Sequence, residues 1–591
     1  MYRETYLGRR LLWVMGGLSL AMMVVLLQIL HVQVFMARAE DRAARVQSKT
    51  VVPMGTIVDR AGYPLAYDVP LYELTVDGSV INSEHRLADV REWLEGLGFP
   101  ANEVNAVMAA VSRGQRATLK PLNGEQAAAA RERIAQAASQ GRQACVRLDV
   151  GWRRHHPHGY VAAHVLGFRN LNVPPATQGG VHQVYQQFLE TGRGLQPEYA
   201  HEAEIPGGAT PFFPSPFRRD IVLTLNLGVQ YRVEQALDRA VERYDARGGA
   251  VVVMDPRDGA IIALASRPTF DPNRFYEYGS ETWKDRAVEN HYEPGSVMKA
   301  LTFAAAYDTG LLQEDTQIED TGALAYEGRV IYNSQRRGFG LVTPAEALAH
   351  SLNVATARVA LQMGPAIFYR YMEAFGIGRK TEVDLANETA GILHEPNSPE
   401  WSPFYLATNA FGQGVSIPPI QLIRAMAVLA NGGYLVHPHV LHGYYLNDTY
   451  YELDWPRGRQ VIRPETARTV TRWLEGVIDV IKVFGQVDGI RVAGKTGTAQ
   501  VPIPGGYSED EQNTFFVGYY PAEAPQVIIL VFLERPRLGP SVHGGGHAEV
   551  WASNTAYPTF VRIAESINPL LGIRPSSARS EQGHVLARQG E

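Results

Sequence analysis

Two β-hairpin patterns that lie far apart in the sequence constrain the fold most strongly. The first occupies residues 249–266, where two apolar runs flank the turn sequence Pro-Arg-Asp-Gly. The second occupies residues 514–533, where similar runs flank a turn bounded by prolines. Between the hairpins, residues 296–480 have mainly helical apolar spacing. Strands at both ends of a helical insert predict one antiparallel sheet with helices packed against it, an α+β fold.

A long apolar run near the N-terminus predicts a membrane anchor. Residues 11–30 contain only Ser19 and Gln28 as polar interruptions. A helix of about 20 residues, rising about 1.5 Å per residue, spans the hydrocarbon layer of roughly 30 Å. We therefore predict a retained transmembrane helix over 11–36. Ala37-Arg38-Ala39 offers a small-x-small pattern that a peptidase can read, so processing after the run stays an alternative.

The rest of the chain divides by composition. A proline-rich stretch ends near residue 216 and predicts the main boundary there. We predict a tail at 1–10, the anchor at 11–36, a mixed α/β region at 37–215, the α+β domain at 216–574 and a disordered tail at 575–591. The mixed region is expected to contain a hairpin turn at 59–62 and mainly helices over 84–143.

Charge and cysteine usage exclude several functions. The chain has 55 basic and 61 acidic residues, a net charge of −6, so a nucleic-acid partner is not expected. Cys145 is the single cysteine and cannot form an intramolecular disulfide. Pro157 interrupts the cluster of His155, His156 and His158, and we predict neither a metal nor a cofactor.

Three short motifs carry the chemistry. Ser296 and Lys299 are three residues apart at the start of a helical run, so they share a face and Lys299 can act as the base for Ser296. A lysine base needs its pKa lowered by burial or by a second cation. Lys495, in the edge-strand sequence Lys-Thr-Gly-Thr, is a candidate for that cation. The hydroxyl of Ser351 can relay a proton, and the amide of Asn353 can hold a peptide carbonyl.

At this point the sequence resembles a known family. Motifs of the form SxxK, SxN and KTG, in this order, are the signature of penicillin-recognising serine enzymes. With two of the seven lysines in these motifs, the match is specific. The wider pattern resembles class B penicillin-binding proteins, the monofunctional peptidoglycan D,D-transpeptidases. The supporting segments are Tyr292-Glu293-Pro294-Gly295, Phe411-Gly412-Gln413-Gly414, Ala493-Gly494, Thr498-Ala499-Gln500 and, in the N-terminal pedestal, residues 55–66 and 160–168.

The resemblance implies a role for each motif residue. The transpeptidase domain is then 216–574 and the pedestal 37–215. Ser296 would be the acylated nucleophile, with Lys299, Ser351, Asn353 and Lys495 as the other catalytic residues. Thr496, Gly497 and Thr498 would bind the substrate, with Lys495 and Thr498 holding its carboxylate.

The resemblance also implies partners and a location. Its substrates would be peptidoglycan stem peptides, which β-lactams mimic, and its partner a membrane glycan polymerase of the shape, elongation, division and sporulation (SEDS) family. The chain would be a single-pass type II protein of the cell (inner) membrane with an extracytoplasmic catalytic domain.

The sequence departs from the family pattern in the pedestal. Met54 stands where arginine is common, and His182 where acidic residues are common. Local features, including the short interval 168–179, favour the division type over the elongation type. Two alternatives are a scaffold that activates the polymerase through a vestigial site, and a membrane-bound β-lactamase or β-lactam sensor.

Overall fold

The computed structural model describes residues 53–81, 84–139, 145–170, 177–195, 197, 199–203, 218–456, 458–503, 506–538 and 549–575. The predicted anchor at 11–36 lies outside these residues, and so does the predicted tail at 575–591 apart from its first residue. Within the described ranges, no helix combines the length and the apolar character needed to cross a membrane.

The chain divides into two compact units. Among the described residues, the smaller unit contains Pro53 and those within 70–152, and the larger contains 54–69 and those from 153 onward. Residues of the predicted pedestal thus belong to both units, and the predicted domain boundaries remain predictions. The strand Pro64–Asp77 passes through the division at residue 69.

The smaller unit contains helices and a β-strand that was not predicted from the sequence. Its helices are Glu84–Gly96, Ala101–Val111 and Gly124–Ser139. The prediction of helices over 84–143 is wrong for Arg116–Leu122, which pairs antiparallel with residues 72–77. The strand forms because Leu119 and Leu122 are buried in the unit's core, where neighbouring backbone supplies the hydrogen bonds.

The larger unit contains the predicted sheet. Five antiparallel strands occur in the spatial order Ile261–Arg267, Gly248–Met254, Val527–Glu534, Gly506–Tyr520 and Ala493–Ile503. Both predicted hairpins are present, and the second joins the first through pairing of 528–534 with 248–254. The prediction of one sheet made from both ends of a domain is confirmed. Lys495 lies on the edge strand, opposite Val517.

Helices cover this sheet and fill the insert. Met298–Asp308 is the central helix, with every residue from Met298 to Ala306 buried. A helix that is apolar on all sides is stable only inside a core. The others are Leu227–Arg243, Pro344–Ala349, Asn353–Met363, Pro365–Ala374, Pro403–Asn409, Pro419–Ala430, Pro464–Ile481 and Ala556–Leu571.

Shorter elements complete the larger unit. Its short helices are Ala163–Leu166, Gly180–Val184 and Gln186–Thr191. Ile57–Val58 pairs in parallel with Ile221–Leu223, which pairs antiparallel with Leu441–Leu446. That strand is followed by Thr449–Leu453 and then Ala200–Glu202 in the sheet order. Four two-stranded sheets pair Ile318–Asp320 with Gly340–Val342, Ala323–Tyr326 with Arg329–Tyr332, Ile392–Leu393 with Val415–Ser416, and Phe168–Arg169 with Thr177–Gln178.

The two pedestal positions that depart from the family pattern meet in one buried polar cluster. Arg154 donates to Asp68 at 3.2 Å and to the carbonyl of Gly55 at 2.9 Å. Its Nε donates to Nε2 of His182 at 2.7 Å. The backbone N–H of Met54 donates to the other oxygen of Asp68 at 2.8 Å. Arg154, from the strand Val146–His155, therefore supplies a cation beside Met54. Burial lowers the pKa of His182 well below its ordinary value, so a neutral His182 accepts from Arg154.

Candidate active site

Ser296 lies on a tight turn at the entrance to the central helix. The turn Gly295–Val297 is a 3₁₀ segment that continues into Met298–Asp308. Gly295 has a φ of 54°, a left-handed conformation that favours glycine. A Cβ on Gly412 would overlap the carbonyl oxygen of Gly295, so the backbone of the 412–414 turn supports the Ser296 turn at close range.

Lys299 is buried one helical turn after Ser296. Its Nζ donates to the carbonyl oxygen of Ser351, and lies 3.2 Å from the hydroxyl of Ser351 and 2.7 Å from Oδ1 of Asn353. Within the described residues, Lys299 makes no hydrogen bond to Ser296. The structure thus brings Lys299 together with Ser351 and Asn353, and leaves Ser296 beside this group.

Lys495 reaches the same hydroxyl from the sheet. Its Nζ is 3.0 Å from Oγ of Ser351, and the side chain is buried. Ser351 therefore lies between two lysine amines that come from distant parts of the sequence. It has a φ of 54°, and it lies between the helices Pro344–Ala349 and Asn353–Met363. The first of these helices begins with a capping box formed by Thr343 and Glu346.

Burial lowers the pKa values of both amines. The pKa of Lys299 falls well below its ordinary value because of burial first and the positive charge of Lys495 second, while Asp320 opposes the shift. Burial alone lowers the pKa of Lys495 to about 7. The amines therefore lose their protons far more readily than surface lysines do, as a general base must.

Hydrogen-bond directions show how a neutral Lys299 would be oriented. An uncharged amine has two N–H bonds and one lone pair. The carbonyl of Ser351 and Oδ1 of Asn353 can accept only, so they account for both N–H bonds. The lone pair is then left for a hydroxyl proton. The other end of the Asn353 amide donates to the carbonyl of Tyr332 at 2.8 Å, which fixes the amide's orientation.

The predicted substrate-binding residues border the same space. A cavity of about 330 Å³ is lined by Ser296, Ser351, Asn353, Thr496 and Thr498, among others. The edge strand Ala493–Ile503 approaches the Ser296 turn so closely that a Cβ on Gly497 would overlap the carbonyl of Pro294. The hydroxyl of Thr498 accepts from the N–H of Ala552 at 3.0 Å, which leaves its own proton free to donate.

A buried carboxyl beside the cleft was missed as a site residue. One oxygen of Glu293 accepts from the N–H of Gly414 and from the hydroxyl of Tyr507, both at 2.9 Å. The other oxygen is buried without a hydrogen-bond partner among the described residues. Burial raises the pKa of Glu293 to about 7. Glu293 belongs to the motif Tyr292-Glu293-Pro294-Gly295, but no spacing in the sequence indicates that its side chain contacts Gly414 and Tyr507.

Comparisons with known proteins identify the family. Residues 249–554 match the model of the penicillin binding protein transpeptidase domain. The chain belongs to the penicillin-binding transpeptidase family. It is 32% identical over 441 residues to stage V sporulation protein D of Bacillus subtilis, covering 73% of this chain and 66% of that protein. It is 31% identical over 438 residues to the probable peptidoglycan D,D-transpeptidase PenA of Neisseria meningitidis, covering 72% of this chain and 70% of PenA.

A relative and a solved structure match over greater lengths. The peptidoglycan D,D-transpeptidase FtsI of Escherichia coli is 25% identical over 582 residues, covering 96% of this chain and 92% of FtsI. The crystal structure of a peptidoglycan synthetase from Bifidobacterium adolescentis has a TM-score of 0.68 at 22% identity, covering 88% of this chain and 96% of that one. It shows the same fold. The predicted family and enzyme class, a penicillin-binding D,D-transpeptidase, are confirmed.

Proposed function

We propose that Ser296 attacks the penultimate D-alanyl carbonyl of a peptidoglycan stem peptide and forms the acyl-enzyme of a cross-linking reaction. The observation that carries this assignment is the pair of buried amines on either side of Ser351, next to the Ser296 turn. Nothing in a purely structural role requires two buried lysines to share one hydroxyl.

The proposed reaction has two halves. In the first, the Ser296 proton goes to the neutral amine of Lys299, an ester bond forms at Oγ, and the peptide C–N bond breaks. The leaving D-alanine amine takes its proton through the hydroxyl of Ser351. In the second, an amine of a neighbouring stem loses a proton by the same route and attacks the ester. An amide bond forms, the ester C–O bond to Ser296 breaks, and Ser296 regains its proton.

The remaining motif residues would bind the substrate. Lys495 and Thr498 would hold the terminal carboxylate, with Thr498 donating the proton that its contact with Ala552 leaves free. Thr496 lines the cavity, and Gly497 permits the close approach of the strand. A β-lactam would enter the same half-reaction and remain attached, because the amine released by ring opening stays tethered to the acyl group and cannot depart as D-alanine does.

The test is covalent labelling by a fluorescent penicillin followed by the lifetime of the adduct. Ser296→Ala should abolish labelling, and Ser566→Ala, on the helix Ala556–Leu571 outside the cavity, should retain it. Labelling that persists in Ser296→Ala would assign the nucleophile elsewhere. A long-lived adduct is expected of the transpeptidase, whereas rapid release would indicate the β-lactamase alternative. An unlabelled wild-type protein would favour the scaffold alternative.

We further propose a membrane arrangement and a partner. The apolar composition of 11–36 supports a single-pass anchor. The type II orientation follows from the proposed substrate, because peptidoglycan stems lie outside the cytoplasmic membrane. The division type and a SEDS glycan polymerase as partner rest on the resemblance to class B penicillin-binding proteins, with which the match to the D,D-transpeptidase FtsI over nearly the whole chain agrees. Replacing 11–36 with an unrelated membrane helix should weaken co-purification with the polymerase. Full co-purification would leave the segment as a simple tether.

A further inference from the structure

A second, larger cavity adjoins the space around Ser296 and has a basic wall. Its volume is about 850 Å³, and its lining includes Arg329 and Arg336, which we call the arginine wall. Arg329 begins the strand Arg329–Tyr332, and Arg336 lies in the loop that follows. This cavity shares lining residues with the cavity at Ser296: Ser334, Asn353, Phe411, Gln413, Thr498 and Trp551. A substrate held at Ser296 therefore has a continuous path to both arginines.

Aromatic rings hold the two guanidinium groups in place. The guanidinium carbon of Arg329 lies 4.9 Å from the ring centre of Phe404, and that of Arg336 lies 5.0 Å from the ring centre of Tyr332. Stacking on a ring restricts the side chain but leaves the N–H bonds in the plane of the guanidinium free to donate. The wall is thus oriented while its donors remain available.

The wall has no internal counter-charge. Arg329 and Arg336 are exposed, and among the described residues neither forms an ion pair with a carboxylate. Glu293 is the one carboxylate among the described lining residues, and its side chain is already engaged by Gly414 and Tyr507. The cavity therefore favours an anionic occupant.

The hairpin that carries the wall is fastened to the catalytic loop. Asn353 donates to the carbonyl of Tyr332 at 2.8 Å, and the N–H of Val354 donates to Oδ1 of Asn333 at 3.0 Å. Asn333 in turn donates to both oxygens of Asp320 at 2.8 and 3.0 Å. Asn353, which accepts a hydrogen bond from Lys299, therefore also fixes the end of the strand Arg329–Tyr332. These hydrogen bonds hold the arginine wall at a fixed position relative to the catalytic residues.

We propose that the arginine wall is a binding subsite for a carboxylate of the stem peptide, separate from the terminal carboxylate held near Lys495. The inference rests on the proposed function, because it assumes that the peptide reaches Ser296. The carboxylate can belong to the donor stem or to the acceptor stem. In both cases the recognition chemistry is a guanidinium donating to a carboxylate.

The donor arm of the test compares two penicillins that differ by one carboxylate. The second-order acylation rate constants of α-carboxybenzylpenicillin and benzylpenicillin are measured for the wild type and for Arg329→Gln and Arg336→Gln. Each substitution should lower the preference for the carboxylated compound by about threefold to tenfold, the range for a solvent-accessible hydrogen bond to a charged group. Added salt should lower the wild-type preference in the same direction. Arg337→Gln is the matched control, because Arg337 lies on the same loop, stacks on Phe339 and does not line the cavity.

The acceptor arm uses acyl transfer from a small thioester donor to D-alanine, which carries a carboxylate, or to D-alaninamide, which does not. A loss of preference in one arm assigns the carboxylate to that stem, and a loss in both arms assigns the wall to both. Unchanged preferences in both arms, with normal acylation of the wild type by benzylpenicillin, would overturn the subsite and leave the proposed function intact. A wild type that benzylpenicillin does not acylate would remove the proposed function, and the subsite with it.

Discussion

Arg154 and Lys299 are both buried basic residues of the larger compact unit, but among the described residues only Arg154 forms an ion pair with a carboxylate. Asp68 lies 3.2 Å from the Arg154 guanidinium, so the pair can stay charged in the core. The described acceptors of Lys299 and Lys495 are hydroxyl, carbonyl and amide oxygens, all uncharged. A buried amine without a counter-charge lowers its energy by releasing its proton. The presence or absence of a neighbouring carboxylate therefore separates a structural cation from a reactive one.

The largest expected effect tests the reactive side of this comparison. Lys299→Met removes the amine but keeps an apolar chain of similar length, so acylation by benzylpenicillin should slow by about a hundredfold to ten-thousandfold, the contribution of a general base. The free energy of unfolding should change by less than about 2 kcal/mol, because the cost of burying the amine disappears with it. Stopped-flow acylation and thermal unfolding measure the two quantities. Lys284→Met is the control, since Lys284 is exposed and paired with Glu281. Normal acylation by Lys299→Met would refute its role as the base.

The next effect tests the structural side. Asp68→Asn leaves Arg154 charged and buried, and should lower the free energy of unfolding by about 3 to 5 kcal/mol. Denaturant unfolding measures the loss. Asp479→Asn breaks an exposed pair with Lys482 and should cost less than about 1 kcal/mol. The double variant Asp68→Asn, Arg154→Met should recover part of the stability. A loss for Asp68→Asn as small as that for Asp479→Asn would mean that the buried pair is not what holds the cluster.

The smallest effect extends the comparison to a buried acid without a cation. Glu293 has a pKa of about 7, against an ordinary value of 4.5, because burial disfavours its charged form. Between pH 4.5 and 7 the unfolded chain releases this proton before the folded protein does, so wild-type stability falls as pH rises through that interval. Glu293→Gln cannot ionise, but its side-chain oxygen can still accept from Gly414 and Tyr507. Its melting temperature relative to the wild type should therefore be a few degrees higher at pH 8 than at pH 4.5. A difference independent of pH would show that Glu293 has an ordinary pKa.

The sequence was enough to choose the residues of the site, but not to predict which of them contact one another. The motif residues Lys299, Ser351 and Lys495 could be chosen because each motif has a fixed spacing and lysine is rare in this chain. Helical spacing also suggested a direct contact between Ser296 and Lys299. The structure instead directs Lys299 towards Ser351 and Asn353, because a buried amine orients towards the nearest acceptors, and their positions depend on tertiary packing.

The same limit applies to the fold. The hairpin at 249–266 was predictable because its apolar runs and turn are local in sequence. The strand Arg116–Leu122 was not, because it forms only against residues 72–77, some forty positions earlier, and its short apolar pattern also fits a helix. The cluster of Met54, Arg154 and His182 was hidden for a similar reason. Met54 and His182 could each be recognised as a departure from the family pattern. Arg154, which donates to His182 and to the carbonyl next to Met54, is distant from both in the sequence.

The contact between Gly412 and Gly295 limits how resistance to inhibitors could evolve. Any side chain at 412 would displace the turn that carries Ser296. Attack on a drug and attack on the stem peptide both start from that turn, so such a mutation would disable the enzyme together with its inhibition. Substitutions at Arg329 and Arg336 can change carboxylate binding without moving that turn, because these side chains are exposed. We therefore expect selection by β-lactams to change Arg329 or Arg336 before it changes Gly412.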